Sequence, residues 1–258
     1  MHYDPDSLDG RDPEVIRSLL PSIRAYNRYY VRLRSEGVEN IPTGPAMYVS
    51  NHNGGITSPD FPCTLGTLWD TLGPETPLYG LAHDFGMLWF PDMGRALQKL
   101  GAIRACPKNV SRALAAGGQV LAYPGSDIET FRHSRLRDKI IFGQRTGFVR
   151  VAQQAAAPIV PIVIQGAHRS AYIFHEGRFI AHALNLSSLM RVERFPLAFA
   201  LPWGIAIGPF VPYLPLPFPV RMRVLPPIRV APGDDPAEAR ECIRSQMQTA
   251  LDELAKMP

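Results

Sequence analysis

The sequence predicts an α/β fold in which a mostly parallel central sheet carries helices on both faces. Short apolar runs at Gln119–Tyr123 and Ile159–Ile164 are typical of strands that are buried on both sides. Amphipathic segments with helical spacing separate such runs along the chain. The 258 residues, 46% of them hydrophobic, are enough to build one sizeable core and exclude a disordered chain.

The first element is a helical segment over Asp12–Arg34 that is interrupted or restarts at Pro21. Its apolar residues share one helical face and its arginines share the other: Ile16, Leu19, Leu20, Ile23, Tyr26 and Tyr30 against Arg17, Arg24, Arg28 and Arg32. The segment either packs on the domain with a solvated basic face or lies as an interfacial helix on an anionic membrane.

The remaining elements alternate between strand and helix. The strand Ala46–Ser50 leads through a loop to a helix that ends near Leu72, with Ser58 as the expected N-cap and Pro59 at the first helical position. Further along we expect a strand at Pro77–Leu81, helical spacing over Phe85–Leu100 with a break at Pro91, a helix at Val110–Ala116, the strand Gln119–Tyr123, a helix at Gly147–Ala156, the strand Ile159–Ile164 and a C-terminal helix at Pro236–Met257.

Proline is unusually frequent, with 26 residues, and seven of them fall in the charge-free window Phe195–Val220. The window is long enough to span a bilayer, but interior prolines destabilise a helix by about 3 kcal/mol each, so we expect no transmembrane helix. It is either a proline-bent core stretch or a surface that meets apolar ligand or membrane. Residues 1–10 contain three aspartates and no apolar run, and we expect no signal peptide.

The cysteine and arginine contents indicate where the protein is located and which classes of ligand it binds. Cys63, Cys106 and Cys242 have no paired spacing, which excludes a disulfide framework and a cysteine-based metal site and suits a reducing cytoplasm. We expect no metal. The net charge of +4 comes mostly from 23 arginines, which suit phosphate groups or anionic lipids. They are not interleaved with stacking aromatics, so we expect no nucleic-acid partner.

The first candidate site is the segment Val49–Gly55, which is followed by Asp60. His52 follows a buried strand, where α/β proteins place reactive groups, and an imidazole can take a proton near neutral pH. A carboxylate on its other ring nitrogen would fix the tautomer, and the Gly54–Gly55 turn lets the chain fold back so that Asp60 can supply it. His52 as an ordinary loop residue and Asp60 as a helix-dipole partner are the alternatives.

A second strand, Gln119–Tyr123, runs into the tight polar turn Pro124-Gly125-Ser126, whose N–H groups could face an oxyanion or a phosphate. Glu129 could orient a substrate or hold a loop. The basic run that follows is either a solvated face or a phosphate site: Arg132, His133, Arg135, Arg137, Lys139, Arg145 and Arg150.

The order of these motifs resembles the lysophospholipid/glycerolipid acyltransferase superfamily over roughly Val38–Phe174. Its four blocks correspond here to Asn51-His52 with Asp60, to Gly101–Arg104, to Tyr123–Gly125 and to Ile159–Ile162. The form Pro-Gly-x-x-x-Glu and the Arg145–Phe148 segment look most like the diacylglycerol-acyltransferase-like branch. The helical spacing predicts an N-terminal amphipathic helical segment over residues 1–35, and the resemblance implies an acyltransferase domain over residues 36–258.

Three positions depart from the family pattern. The spacing from His52 to Asp60 is three residues longer, Gly125 stands where the third block has glutamate, and Pro107 stands where the second block has arginine. In the family that arginine holds the glycerol phosphate of the acceptor, and Arg104 is nearby but not equivalent. The departures weaken the case for a lysophosphatidate acceptor and leave a neutral hydroxyl open.

The resemblance implies transfer of a fatty acyl group from acyl-CoA or acyl-carrier protein to a hydroxyl of a lipid, without a further cofactor. His52 would be the general base and Asp60 its orienting partner. The expected substrate contacts are Asn51, Gly54, Gly55, Arg104, Gly125, Ser126, Glu129, Arg132 and Arg145. A hydrolase that uses the same dyad and a non-catalytic lipid-binding protein are the alternatives.

The proline-rich window then has a possible use, because an acyl-handling enzyme needs a passage for the chain and must meet its lipid. We expect the window to contribute an acyl passage or a membrane-facing patch through Phe195, Leu197, Phe199, Leu201, Trp203, Phe210 and Phe218, with Trp203 and Phe210 as the test positions. The expected location is cytoplasmic, with peripheral association at the inner face of the membrane.

Overall fold

Two β-sheets organise the protein, whose computed structural model describes residues 3–257. The strands are β1 (Arg34–Glu36), β2 (Met47–Ser50), β3 (Leu78–Ala82), β4 (Ala102–Arg104), β5 (Gln119–Ala122), β6 (Ile159–Gln165), β7 (Tyr172–His175), β8 (Leu197–Ala200), β9 (Gly204–Ile207) and β10 (Arg221–Val224). The helices are α1 (Pro13–Ala25), α2 (Asp60–Leu72), α3 (Pro91–Lys99), α4 (Pro107–Ala115), α5 (Ser126–Thr130), α6 (Gly147–Gln154), α7 (Arg178–Ala183), α8 (Leu186–Met190) and α9 (Pro236–Lys256).

The central sheet has seven strands in the order β1-β10-β6-β2-β5-β3-β4. The strands β6, β2, β5, β3 and β4 run parallel to one another. At the other end of the sheet, β10 pairs antiparallel with β6, and β1 pairs parallel with β10. Because parallel strands end at one edge, the residues that follow β2, β5 and β6 emerge side by side.

Helices cover both faces of this sheet. Alternate residues of β2 belong to opposite cores: Met47 and Val49 pack with α4, α6 and α9, and Tyr48 packs with α1 and α2. This alternation follows from the two-residue period of a strand, and it explains the continuous apolar runs in the sequence. The predicted α/β class, with a mostly parallel sheet and helices on both faces, is confirmed.

The N-terminal helix packs into the second of these cores. Ile16 is fully buried and Leu20 nearly so, while the arginines of the opposite face are exposed. The helix runs through Pro21, contrary to the predicted interruption, because this proline is exposed and the carbonyl that loses its helical partner can be hydrated. It ends in a π-helical turn at Tyr26–Tyr30 rather than at Arg34, which begins β1.

The proline-rich window forms most of a smaller antiparallel sheet, in the order β7-β8-β9. This sheet is not among the elements predicted from the sequence. Within residues 3–257 no helix is long and apolar enough to cross a membrane.

Candidate active site

The loops after β2 and β5 meet at one edge of the central sheet. Val49 pairs with Ala122 in the sheet, so His52 and Tyr123, which follow these strands, lie close together. Their ring centroids are 4.6 Å apart. Phe61 completes the ring cluster, at 5.3 Å from His52 and 5.0 Å from Tyr123. The two motifs predicted separately from the sequence therefore form a single site.

His52 and Asp60 form a hydrogen-bonded pair despite their long spacing. The Nδ1 atom of His52 lies 3.0 Å from Oδ2 of Asp60, whose side chain is completely buried at the start of α2. The same carboxylate oxygen accepts a hydrogen bond from the Asn53 N–H at 2.8 Å. Two left-handed glycines, Gly54 (φ +76°) and Gly55 (φ +71°), turn the chain back between the partners.

Ser58 has a different role from the one predicted. Instead of capping the N–H groups of α2, its hydroxyl lies within hydrogen-bond distance of the Asn53 carbonyl and of Oδ1 of Asp60. The helix begins one residue later than a Ser58 cap would require. The buried carboxylate draws the hydroxyl inward, so that both oxygens of Asp60 are held by the protein.

The other ring nitrogen of His52 is left for a substrate. Every protein hydrogen bond of the ring goes through Nδ1, and no group among residues 3–257 bonds to Nε2. The side chain is 14% exposed, which leaves a narrow access to it. With Nδ1–H donating to Asp60, the Nε2 lone pair is in the form that can accept a proton from a hydroxyl.

Glu129 fixes the backbone on which His52 stands. It is fully buried, and its two oxygens accept hydrogen bonds from the N–H groups of His52 and Ile141, each at 2.9 Å. Burial raises the pKa of Glu129 to about 7, against the opposing pull of the Arg132 charge and the two N–H donors. Its contacts thus hold a loop, which is one of the two roles expected from the sequence.

Arg132 is completely buried, and its guanidinium is used entirely within the protein. All five N–H donors have acceptors: the carbonyls of His52, Glu129, Leu136 and Arg137, and Oδ1 of Asn53. This arrangement leaves no donor for a substrate phosphate. We therefore assign Arg132 the positioning of the His52 loop, instead of the direct substrate contact predicted from the sequence.

Several other predicted contact residues also serve the scaffold. Asn51 is buried, and its amide both donates to and accepts from the backbone of Ile164 in β6. Arg104 makes a two-pronged ion pair with Asp6, at 2.8 and 2.7 Å, which occupies its charge. We find neither residue placed to receive a substrate directly.

The turn after β5 has one amide already in use. The N–H of Ser126, a residue with φ +47°, donates to the Tyr123 carbonyl at 3.0 Å. Arg145 spans the turn by donating to the carbonyls of Pro124 and Gly125, and it also contacts Glu193 at 3.2 Å. Its guanidinium remains partly exposed, so it keeps a face toward solvent.

His168 belongs to the site, although it is not among the residues predicted from the sequence. It follows β6, the parallel neighbour of β2, so the rule that led to His52 could have found it. Its Nδ1 accepts from the Gly54 N–H at 3.2 Å, and Nε2 contacts the Arg132 carbonyl at 3.0 Å. Burial and the neighbouring Arg132 charge lower the pKa of His168 well below its usual range, so it remains neutral and holds the loop.

The proline-rich window packs against the loop that joins His52 to Asp60. The Tyr213 N–H donates to Oγ1 of Thr57, and its hydroxyl lies 3.0 Å from Oγ of Ser170. Of the predicted test positions, Trp203 is exposed and Phe210 is half-buried. Phe199, Leu201 and Phe218 are exposed as well, and Phe195 and Leu197 are half-buried.

Side chains with metal-binding chemistry are not grouped in threes anywhere in residues 3–257. One cavity of about 580 Å³ lies away from the dyad, next to α1 and α2. Four arginines line it with a single acid, Asp70: Arg24, Arg28, Arg32 and Arg34.

Comparison with known proteins gives a consistent result. A family model described as Acyltransferase matches residues 32–165, somewhat more than half of the chain. Uncharacterized proteins of Mycobacterium bovis and Mycobacterium tuberculosis are each 28% identical over 252 residues, covering 94% of this chain and 67% of theirs. A counterpart in Mycobacterium leprae is 28% identical over 208 residues, or 77% of this chain and 56% of its own.

A solved structure shares the fold. It is the crystal structure of the 1-acyl-sn-glycerophosphate (LPA) acyltransferase PlsC from Thermotoga maritima, with a TM-score of 0.59 and 16% sequence identity. The alignment covers 96% of this chain and 85% of that chain. At this identity, the likeness shows a shared fold.

Proposed function

Because the chain belongs to the acyltransferase family, we propose that it moves a fatty acyl group from an acyl thioester to a hydroxyl of a lipid acceptor. The donor would be acyl-CoA or acyl-carrier protein. The observation that carries the proposal is the pair of His52 and Asp60, in which the carboxylate holds Nδ1 at 3.0 Å and Nε2 is left for a substrate.

In the proposed reaction, Nε2 of His52 removes the proton from the acceptor hydroxyl as its oxygen attacks the thioester carbonyl. A tetrahedral intermediate forms and then collapses, which breaks the carbon–sulfur bond. The leaving thiolate takes the proton back from the imidazolium, so the products are an ester and a free thiol. No acyl-enzyme is required, and the sequence contains no Gly-x-Ser-x-Gly segment that would supply a serine nucleophile.

Asp60 stabilises the imidazolium through the Nδ1 hydrogen bond and keeps the ring in the required tautomer. Glu129 and Arg132 position the imidazole indirectly, because they form hydrogen bonds to the backbone of His52. The oxyanion needs donors near the turn after β5. Since the Ser126 N–H already donates to Tyr123, Gly125 is the remaining predicted backbone donor.

The donor's phosphates would be met by the exposed members of the basic run. Arg135, Arg137 and Lys139 are exposed beside the site, and Arg145 keeps a partly exposed guanidinium at the Gly125 turn. Arginine side chains suit phosphate groups because they bind two oxygens at once.

For the acceptor, the ion pair of Arg104 with Asp6 favours a neutral hydroxyl over a lysophosphatidate. The charge that could hold a glycerol phosphate is compensated, and Pro107 begins α4 at the position where the related family carries arginine. We also propose that the protein works in the cytoplasm, in peripheral contact with the inner face of the membrane where such lipids reside.

The test is to follow a labelled acyl chain. Purified protein is incubated with labelled acyl-CoA or acyl-carrier protein and either a lysophosphatidate or a neutral lipid alcohol. We expect the label in an acylated neutral lipid, with little free fatty acid. Release of free fatty acid alone would identify a hydrolase, and the absence of any product with every donor and acceptor would leave a non-catalytic lipid-binding protein.

A further inference from the structure

The smaller sheet has an outer face made of large apolar side chains. On its inner face the buried residues are mostly small: Ile173, Ala198, Ala200 and Ala206. On its outer face, by contrast, Ile205 is 64% exposed, Ile207 57% and Phe199 51%. A one-sided antiparallel sheet in water normally has the opposite arrangement, with polar residues outside.

The strand pairing joins these side chains into one continuous surface. Tyr172 pairs with Phe199, which pairs with Ile205, so the three side chains form a row across all three strands. Leu197 and Ile207 form the next row. We call these five residues the outer face: Tyr172, Leu197, Phe199, Ile205 and Ile207.

The hairpin that joins β8 to β9 extends the outer face toward solvent. Trp203 stands in its turn, is 58% exposed and donates its indole N–H to the Pro212 carbonyl at 2.6 Å. Leu201, just before the turn, pairs with Leu214, and both are exposed. A tryptophan with a satisfied N–H at the margin of an apolar surface is typical of proteins that sit at a membrane interface.

Basic residues border this apolar surface. Beyond Leu214, the Pro215 carbonyl accepts a hydrogen bond from the Tyr30 hydroxyl, and the Pro217 carbonyl accepts one from Arg32, both at 2.7 Å. These contacts hold the arginine-lined cavity against the chain segment that follows Leu214. Arg28 and Arg34 are exposed in that cavity, and residues 195–220 contribute no acid to the border.

We infer that the outer face docks onto an anionic lipid bilayer, with its apolar rows entering the interface and Arg28 and Arg32 meeting the headgroups. Apolar area and basic charge together are what hold a peripheral protein on such a surface. The choice of a lipid surface as the partner rests on the proposed function. A second copy of the chain is disfavoured, because self-association would bring two basic borders together.

The proposed docking surface also lies close to the candidate active site. Leu214 follows Tyr213, whose N–H holds Thr57 in the loop between His52 and Asp60. A lipid bound at Leu214 would therefore lie next to the loop that joins His52 to Asp60.

The first test measures co-sedimentation of the full chain with vesicles of phosphatidylcholine, with and without phosphatidylglycerol. Phe199→Gln together with Ile205→Gln should weaken binding by roughly tenfold for each side chain removed from the interface. The control is Leu19→Gln, an exposed apolar residue on α1 that should leave binding unchanged. A loss of binding with the control alone would move the surface to α1 and overturn the inference.

The charge contribution is tested with Arg28→Gln. This variant should bind several-fold less to vesicles that contain phosphatidylglycerol and equally to pure phosphatidylcholine. Arg150→Gln, an exposed arginine on α6 in the opposite layer, is the matched control and should bind like wild type. Equal losses in both variants would mean that only the net charge matters, which contradicts a defined docking face.

A third measurement keeps the outer face intact, so it does not depend on whether the glutamine variants fold. With Trp89→Phe as background, brominated lipids should quench the exposed Trp203, whereas Trp69 is buried. Lack of quenching would contradict docking. So would a concentration-dependent dimer that the Phe199 and Ile205 changes dissociate, in a protein that binds no vesicles.

Docking and turnover are separable in the same experiments. His52→Ala should bind vesicles as wild type does and form no acylated lipid. If it binds but the wild type shows no transfer, the proposed function fails and the docking face stands. If acyl transfer is observed but neither the wild type nor any variant binds vesicles, the docking face fails and the proposed function stands.

Discussion

His52 is held by more contacts than a loop histidine needs. Asp60 fixes Nδ1, Glu129 accepts the backbone N–H, and Arg132 donates to the backbone carbonyl. Each contact removes a direction in which the ring could move, so Nε2 is presented in one place. Such preorganisation is what a general base requires, since its efficiency depends on reaching the substrate proton at hydrogen-bond distance.

Asp60→Asn should lower kcat by about 10²–10⁴-fold, because an amide can no longer stabilise the imidazolium and its NH2 group opposes one of the present donors. Acyl transfer by the purified variant measures this. Asp92→Asn is the matched control, since Asp92 also lies in the first turn of a helix but is fully exposed and pairs with Arg95. A folded Asp60→Asn enzyme with unchanged kcat would remove Asp60 from the mechanism.

Glu129 makes stability depend on pH in a defined direction. Its folded-state pKa of about 7 lies above the unfolded value of 4.5, so the protonated form stabilises the fold most fully below pH 4.5 and this contribution is lost as the pH rises through 7. Glu129→Gln does not titrate, and it costs about 1–3 kcal/mol because its amide faces an N–H donor.

Urea unfolding at several pH values tests this. The stability advantage of wild type over Glu129→Gln should narrow as the pH rises from 4.5 to 7, by at most about 1.4 kcal/mol per pH unit. Stability curves that stay parallel over that range would show that the raised pKa is wrong.

At the scale of elements, the turn between His52 and Asp60 depends on Gly54. A Cβ there would lie 2.5 Å from Oγ of Ser170 and 3.1 Å from the Ala167 carbonyl oxygen, in addition to the left-handed φ of +76°. The turn is therefore limited both by backbone conformation and by the β6 loop packed against it.

Gly54→Ala should destabilise the protein by more than the roughly 1–2 kcal/mol of a left-handed alanine, and it should lower kcat because the dyad separates. Gly117→Ala provides the comparison, since Gly117 has φ +80° with open space around it. Thermal unfolding and turnover of both variants measure the difference. Equal effects would mean that the contact with Ser170 does not matter.

The elements that could be predicted are those with a local signal. The buried strands β2, β5 and β6 were found as apolar runs, and the meeting of their loops follows from parallel pairing. The small sheet could not be predicted, because β7 pairs with the proline-rich window across a long stretch of sequence. The prolines of that window also interrupt the two-residue period that is typical of strands. The burial of Arg132 could not be predicted either, because four of its five acceptors are backbone carbonyls, which every sequence has.

At the scale of the whole molecule, the resemblance to lysophospholipid and glycerolipid acyltransferases is confirmed by the family model and the shared fold with PlsC. The assignment to the diacylglycerol-acyltransferase-like branch stays a prediction. The predicted division at residues 1–35 and 36–258 also stays a prediction, and its boundary falls within β1. The packing of α1 suggests how to test it.

Ile16→Ala should destabilise the entire protein by about 2–5 kcal/mol, because Ile16 is fully buried in the core that α1 shares with α2 and the sheet. Leu19→Ala, on the exposed side of the same helix, should cost far less. The free energies of unfolding of both variants, measured in urea, show whether α1 unfolds together with the rest of the protein. If Ile16→Ala left the main transition unchanged, the N-terminal segment would be an independent unit.

The central claim is that His52 is the general base for acyl transfer, and the most direct measurement is the turnover of purified His52→Ala with labelled acyl thioester and lipid acceptor. His182→Ala, an exposed histidine on α7, is the control. We predict that the folded His52 variant loses transfer by about 10²–10⁴-fold while the control keeps it. Wild-type turnover in a folded His52→Ala protein would contradict the account.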